Sequence, residues 1–262
     1  MLNDEMTGKG ETIVFLHGAL VSLRMWDKQA AFFRENYRVL LVDLPEHGGS
    51  ADTVLPVYRV EKISDAVLAL LDKIGIDHYH LCGHSLGGMV AQEIALRRPE
   101  QVRCLILAET SYGTRTTFSE KIGSDLTKPL MKLMSRKQLI ALSEKTYGGV
   151  HPSVGAYIGE EMEAYTIGQS RRVMDAAFHY NSRDRLAEIR SETLVLVGEK
   201  NKQTHKQGRE MHRRIRGSEF AVVPAAHHLL NMDNPEAFNR DVARFIAAGG
   251  RQPSGETGQS IM

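Results

Sequence analysis

The sequence predicts an α/β protein built on a mostly parallel, doubly wound sheet. Short apolar runs of strand length alternate along the chain with segments whose apolar residues recur at helical spacing. The apolar runs are also continuous, which is typical of strands that are buried on both faces. The six predicted strands are residues 13–16, 39–42, 79–82, 105–108, 194–197 and 220–223.

Helical patterns lie between these runs. One helix is predicted between the second and third strands, because six apolar residues fall on one of its faces. The last helix is predicted to begin after Asn234 as the N-cap residue, with Pro235 in the first helical position. The face of the first helix is formed by Val60, Ile63, Val67, Leu70, Leu71 and Ile74.

The composition limits the classes of protein that the chain can belong to. Its 262 residues are 42% hydrophobic, which is enough for one large α/β core or two small ones. A net charge of +1 and the lack of a basic cluster among aromatic residues argue against a nucleic-acid partner. The longest apolar runs are too short to cross a membrane, and the N-terminus lacks the pattern of a signal peptide. We therefore expect a cytoplasmic protein, in which Cys82 and Cys104 are small core residues.

The alternation of strands and helices stops between the fourth and fifth predicted strands. Residues 112–183 contain no strand-like run, but they include helical patterns at 130–147 and 157–180, separated by Gly148, Gly149 and Pro152. This pattern predicts a core of residues 1–111 and 184–248, a helical cap of residues 112–183 and a disordered tail of residues 249–262. Four methionines in the cap either line an adaptable apolar pocket or only pack the cap against the core. They are Met131, Met134, Met162 and Met174.

The stretch Gly-His-Ser-Leu-Gly-Gly at residues 83–88 lies between a predicted strand and a predicted helix. In this context G-x-S-x-G is typical of a sharp turn that exposes a nucleophilic serine. The turn requires residues without side chains on both sides of the serine, which Gly83 and Gly87 provide. Ser85 is therefore the candidate nucleophile.

A nucleophilic serine needs a general base and donors for an oxyanion. His228 follows the last predicted strand and precedes the last helix, so it is the candidate base, with His227 as the alternative. The candidate oxyanion donors are the backbone N–H groups of Leu86, directly after the serine, and of Ala19, in the loop after the first predicted strand.

The motifs taken together resemble the α/β-hydrolase superfamily, in the branch that contains the 3-oxoadipate enol-lactonases and related small esterases. The resemblance implies an α/β-hydrolase fold, a serine, histidine and acid at the site, a helical cap and a small-molecule substrate, with no metal or organic cofactor. One departure is the short N-terminus, which leaves about ten residues for the family's usual β-hairpin. The matching motifs are residues 16–18 (LHG), 43–50 (DLPEHGGS), 83–102, 193–198 (TLVLVG), and His228 with 234–236 (NPE).

A second departure concerns the acid. The family pattern has an aspartate shortly after residues 196–198, but this chain has Asn201 there, and an amide cannot stabilise an imidazolium as a carboxylate does. Three alternatives remain open: Glu109 at the end of the fourth predicted strand supplies the acid, Glu199 reaches in from the same loop, or the activity is weak or lost. Glu109 could also simply cap its loop. Our hypothesis is a triad of Ser85, His228 and Glu109, with Asn201 as the alternative orienting residue.

These residues predict a serine hydrolase that cleaves a carboxylic ester or lactone through an acyl-serine intermediate. The alternatives are a carbon–carbon bond hydrolase or a cofactor-free dioxygenase on the same scaffold, or a ligand receptor whose catalysis has decayed. Asp43 is expected to shape the turn into residues 47–49. Arg115, Arg171 and Arg172 could pair with an acidic substrate, although solvated cap surface explains them equally well. Neither the substrate nor the oligomeric state can be predicted from the sequence.

Overall fold

Seven strands form one sheet in the computed structural model, which describes residues 1–113, 134–148 and 150–249. Their order in the sheet is β1-β3-β2-β4-β5-β6-β7, and every neighbouring pair is parallel except β1 with β3. The six predicted strands and the mostly parallel sheet are thus confirmed. The strands are β1 (Asp4–Thr7), β2 (Thr12–Leu16), β3 (Arg38–Val42), β4 (Tyr79–His84), β5 (Val102–Ala108), β6 (Glu192–Gly198) and β7 (Glu219–Val223).

Strand β1 was not predicted from the sequence. It pairs antiparallel with β3, from Asp4 opposite Val42 to Thr7 opposite Val39. None of its four side chains is buried, and its single apolar residue, Met6, is exposed. Backbone hydrogen bonds at the edge of the sheet therefore hold this strand, and they leave no hydrophobic pattern.

Helices cover both faces of the sheet. Successive residues of β2 point to opposite faces, so that Val14 and Leu16 pack against α2 and α3 while Ile13 and Phe15 pack on the side of α1 and α9. This double coverage explains the continuous apolar runs. The helices are α1 (Asp27–Phe33), α2 (Val60–Ile74), α3 (Leu86–Arg97), α4 (Arg136–Tyr147), α5 (Pro152–Glu163), α6 (Ile167–His179), α7 (Lys202–Arg214), α8 (Leu230–Asp233) and α9 (Pro235–Ala247).

Several local predictions are confirmed. Cys82 and Cys104 are free thiols buried in the core. The side chain of Asn234 accepts a hydrogen bond from the N–H of Ala237 and caps α9, with Pro235 in the first turn. No helix of the described ranges is long and apolar enough to cross a membrane.

Helices α4, α5 and α6 lie between β5 and β6. The helical pattern at residues 157–180 covers parts of two helices, because Thr166 caps a new helix by a reciprocal pair of hydrogen bonds with Gln169. Gly148 and Pro152 do mark a helix boundary: α4 ends at Tyr147, and Pro152 is the first residue of α5, a position where proline is favoured.

Some predictions concern residues outside the described ranges. These are the start of the first cap helix, the sites of Arg115 and Met131, and residues 250–262 of the predicted tail. The division into core, cap and tail stays a prediction.

Candidate active site

Ser85 lies at the turn between β4 and α3, in a backbone conformation that is rare for a residue with a side chain, with φ of +50° and ψ of −114°. Its N–H donates to the carbonyl of Ala108 at 3.0 Å. A side chain at Gly83 would collide with the carbonyl of Gly87, and one at Gly88 would lie 2.5 Å from the Cβ of Thr110. The glycines of the motif therefore make the sharp turn possible.

Glu109 directly follows β5 at the same edge of the sheet, and its carboxylate is buried. Oε1 accepts a hydrogen bond from the N–H of Gly198 at 2.5 Å, and Oε2 accepts one from Nδ2 of Asn201 at 2.7 Å. Oε2 also lies 3.4 Å from Nδ1 of His228. The carboxylate thus faces the imidazole while two donors from the β6–α7 region fix its position.

His228 lies in the loop between β7 and α8. Its ring packs against the rings of His84 and Tyr147, with centroids 4.8 and 5.0 Å away. The Nε2 of His84 donates to the backbone carbonyl of His228 at 2.7 Å. Burial lowers the pKa of His84 to about 3, so this neighbour stays neutral at neutral pH. His228 is therefore held by its backbone, by both ring neighbours and by Glu109.

The alternative orienting residues face elsewhere. Asn201 donates its amide hydrogen to Glu109, and no hydrogen bond from it to His228 occurs in the described part of the chain. The side chain of Glu199 is half-buried, and it accepts a hydrogen bond from the N–H of Ala225 at 2.9 Å. The backbone N–H of His227 donates to Asp233, and His227 is absent from the described lining of the cavity that contains Ser85.

That cavity has a volume of about 470 Å³ and lies between the sheet edge and helices α4, α5 and α6. Ala19 and Leu86 line it beside Ser85 and His228. Leu86 is the first residue of α3, so its N–H has no acceptor within the helix. Both candidate oxyanion donors therefore belong to residues that line the same cavity as Ser85.

The cap side of the cavity is mainly apolar. Met162 and Met174 line it, as the adaptable-pocket interpretation predicts, whereas Met134 is absent from the described lining and Met162 also packs against the core. Arg171 lines the cavity too. Arg172 instead pairs with Glu46 at 3.2 Å and lies over the ring of Tyr58. The other lining residues from α4, α5 and α6 are Leu139, Ser143, Tyr147, Ile158, Ser170, Asp175, Ala177, Phe178 and His179.

Asp43 shapes the neighbouring turn, as predicted. Its Oδ2 accepts from the N–H of Gly49 at 2.8 Å, and its Oδ1 accepts from the N–H of Leu23 at 2.8 Å. Among the residues that the structure describes, no group of three His, Cys, Asp or Glu side chains could hold a metal ion.

Sequence reasoning did not find three contacts of the site. The hydrogen bond from Asn201 to Glu109 and the ring contacts of His228 with His84 and Tyr147 join residues far apart in the chain. The sequence does contain one signal for the first of these contacts. It has an amide at Asn201, where the resembled family has its acid, and an acid at Glu109 on a neighbouring strand.

The seven-stranded sheet and the serine turn at its edge define an α/β hydrolase. Residues 13–241 match the model of the alpha/beta hydrolase family, and the chain belongs to that family.

Individual relatives agree with this assignment. The chain is 27% identical to 3-oxoadipate enol-lactonase 2 of Acinetobacter baylyi, over 88% of this chain and 86% of the relative. It is also 27% identical to the pimeloyl-[acyl-carrier protein] methyl ester esterase of Nitrosospira multiformis, over 92% and 96% of the two chains. The crystal structure of a hydrolase from Pseudomonas aeruginosa is similar, with a TM-score of 0.82, 25% identity and 94% of each chain covered.

Proposed function

We propose that this protein is a serine hydrolase that cleaves a carboxylic ester or lactone of a small molecule through an acyl-serine intermediate. The observation that carries the proposal is the buried Glu109 carboxylate, 3.4 Å from Nδ1 of a histidine that shares a cavity with Ser85. The names of the two curated relatives, a lactonase and a methyl ester esterase, support the same bond type.

The proposed reaction begins when Oγ of Ser85 attacks the carbonyl carbon and gives its proton to Nε2 of His228. The carbonyl oxygen becomes an oxyanion, which the N–H groups of Ala19 and Leu86 stabilise. The bond to the leaving oxygen breaks, and that oxygen takes the proton from His228. Water then attacks the acyl-serine with His228 as the base, which releases the acid and restores Ser85.

Glu109 takes the role of the acid in this mechanism. Its carboxylate orients Nδ1 of His228 and stabilises the positive imidazolium that forms in each step. Asn201 is proposed to hold Glu109, because its amide donates to Oε2, the same oxygen that faces His228. The asparagine thus supports an acid that comes from another strand.

The proposal is tested with p-nitrophenyl butyrate and a fluorophosphonate that labels nucleophilic serines. The wild-type protein is expected to release p-nitrophenol and to gain one phosphonyl group on Ser85, as located by peptide mass spectrometry. Ser85→Ala is expected to abolish both, with an unchanged unfolding temperature. Turnover that persists in Ser85→Ala, or ligand binding without any turnover by the wild type, would contradict the proposal.

A further inference from the structure

The buried side chain of His17 forms a hydrogen bond with the backbone of the loop that carries Ala19. We propose that His17 is a positioning residue that fixes the direction of the Ala19 N–H, and with it the geometry of the oxyanion hole. This inference rests on the proposed function, because it concerns a group that stabilises the oxyanion of that reaction.

The hydrogen bonds of His17 determine which nitrogen carries the proton. The N–H of Leu44 donates to Nε2 at 2.9 Å, so Nε2 must be an acceptor. Nδ1 therefore carries the hydrogen and donates it to the carbonyl of Gly18 at 2.7 Å. Burial lowers the pKa of His17 to about 4, which keeps this arrangement of one donor and one acceptor at neutral pH.

This hydrogen bond orients a whole peptide unit. The carbonyl of Gly18 and the N–H of Ala19 belong to the same peptide group, and in a trans peptide they point in opposite directions. His17 is fully buried and is not among the described residues that line the cavity, whereas Ala19 is. A carbonyl held towards His17 therefore points the N–H of Ala19 away from His17, and the proposal is that this direction leads to the cavity that Ala19 lines.

The close approach of the loop depends on Gly18. A Cβ atom at this position would lie 2.8 Å from Nδ1 of His84 and 3.4 Å from Cβ of Ser85. Gly18 therefore allows the peptide to lie against the nucleophile turn, and His17 selects which side of that peptide faces the cavity.

The next peptide group is held in the same way. The N–H of Leu20, a residue with φ of +60°, donates to Nε2 of His47 at 3.1 Å. His47 also donates from Nδ1 to the carbonyl of Pro45 at 2.8 Å, and its ring centroid lies 5.0 Å from that of His17. Two neighbouring histidines thus bind two successive peptide groups of the loop, and only the peptide group bound by His17 includes the Ala19 N–H.

The test compares three variants of His17. Asn places a donor N–H near the position of Nδ1, Gln places its amide further out, and Leu has no donor. An oxyanion donor acts mainly in the transition state, and loss of one costs about 10²- to 10³-fold in kcat. We therefore expect His17→Leu to lose about 10²-fold in kcat for p-nitrophenyl butyrate, with KM changed less than about threefold. His17→Asn is expected to recover at least tenfold of that loss.

A boronic acid inhibitor supplies the second measurement, because its tetrahedral adduct with the serine places an oxygen in the oxyanion hole. Its affinity is expected to fall with kcat across the variants. Equal kcat for the wild type and His17→Leu, or equal losses in the Asn and Leu variants, would overturn the inference. If His17→Leu does not fold, the comparison of His17→Asn with His17→Gln tests the inference. Equal kcat values in these two variants would also overturn it. Failure of the proposed function is a different result, in which the wild type shows no turnover or labelling that depends on Ser85.

Discussion

Helix α4 and the loops that carry Ser85, Glu109 and His228 approach the same cavity from opposite sides, yet they are held very differently. Glu109 is buried and accepts hydrogen bonds from two elements, while Ser85 sits in a backbone turn that two glycines permit. Helix α4 has no buried residue, although Tyr147 at its end contacts His228. The three candidate catalytic residues are therefore held mainly by the strands and loops at the sheet edge, and α4 contributes one wall of the cavity.

Helices α5 and α6, in contrast to α4, contact the sheet side of the molecule through hydrogen bonds and an ion pair. Tyr165 donates from its hydroxyl to the carbonyl of Val21 at 3.3 Å, and Ser22 donates to Glu161 at 3.0 Å. Arg172 reaches Glu46 in the core. Helices α5 and α6, with Tyr165 between them, are thus tied to the loop after β2 and to Glu46 by hydrogen bonds and an ion pair.

The largest expected effect concerns Glu109, the proposed acid. Glu109→Gln is expected to lower kcat by about 10³- to 10⁴-fold, because an amide cannot stabilise the imidazolium of His228. The measurement is p-nitrophenyl butyrate turnover, with the unfolding temperature as a check on folding. Unchanged turnover in Glu109→Gln, together with a sharp rise in Asn201→Asp, would show that the acid belongs at position 201.

The second effect is on the stability of the core in acid. Burial lowers the pKa of His17 to about 4 and the pKa values of His47 and His84 to about 3, from 6.5 in the unfolded chain. Below pH 6.5 the unfolded chain therefore binds protons that the folded chain does not, and the free energy of unfolding falls as the pH drops towards 4. The total loss is on the order of several kcal/mol.

Urea unfolding at pH 7 and pH 5 measures this loss. His47→Asn removes one of the three buried imidazoles and should reduce the difference between the two pH values, while the exposed His78→Asn should leave it unchanged. An equal stability at both pH values would contradict the prediction.

A smaller effect is expected where α6 meets the core. Arg172→Ala removes the partner of Glu46, a buried carboxylate that keeps a hydrogen bond from the N–H of Leu55. We expect a loss of about 1 to 3 kcal/mol in the free energy of unfolding. Adding Glu46→Gln should recover part of the loss, since the unpaired charge is then gone. A double variant that is less stable than Arg172→Ala would contradict this explanation.

The smallest effect is expected on α4. Leu142 is exposed on this helix, so Leu142→Lys should change the free energy of unfolding by less than about 0.5 kcal/mol. Urea unfolding checks the value, with Leu68→Lys in the buried face of α2 as the contrasting variant. A loss above 2 kcal/mol in Leu142→Lys would mean that α4 is packed as firmly as the core.

The same contrast explains which features could be predicted from the sequence. Buried strands such as β2 leave continuous apolar runs, and the turn at Ser85 requires glycines at fixed spacing. Both features can therefore be recognised in the sequence. Edge strand β1 relies on backbone pairing and leaves no pattern. The break between α5 and α6 depends on a local cap at Thr166 that the longer periodicity hid.

The support that Asn201 gives to Glu109 could not be predicted, because it joins residues 92 positions apart through a side chain whose identity alone suggests a lost acid. The cavity lining is similar, since it depends on how α4 and α6 lie over the sheet. The residue types indicated the chemistry. The three-dimensional contacts were needed to show that Asn201 donates to Glu109 and not to His228.

Gly113 and Asn181 pair as an antiparallel bridge, and the N–H of Ser182 donates to the carbonyl of Tyr112 at 2.8 Å. The chain therefore leaves the sheet and returns to it through one joint, and a segment with adjoining ends can be exchanged at little cost in loop entropy. Glu109, Ser85 and His228 all lie on the sheet side of that joint. A different segment between residues 113 and 181 would replace the pocket lining that α4, α5 and α6 supply, including the Tyr147 ring beside His228, while Ser85, Glu109 and His228 stay in the chain.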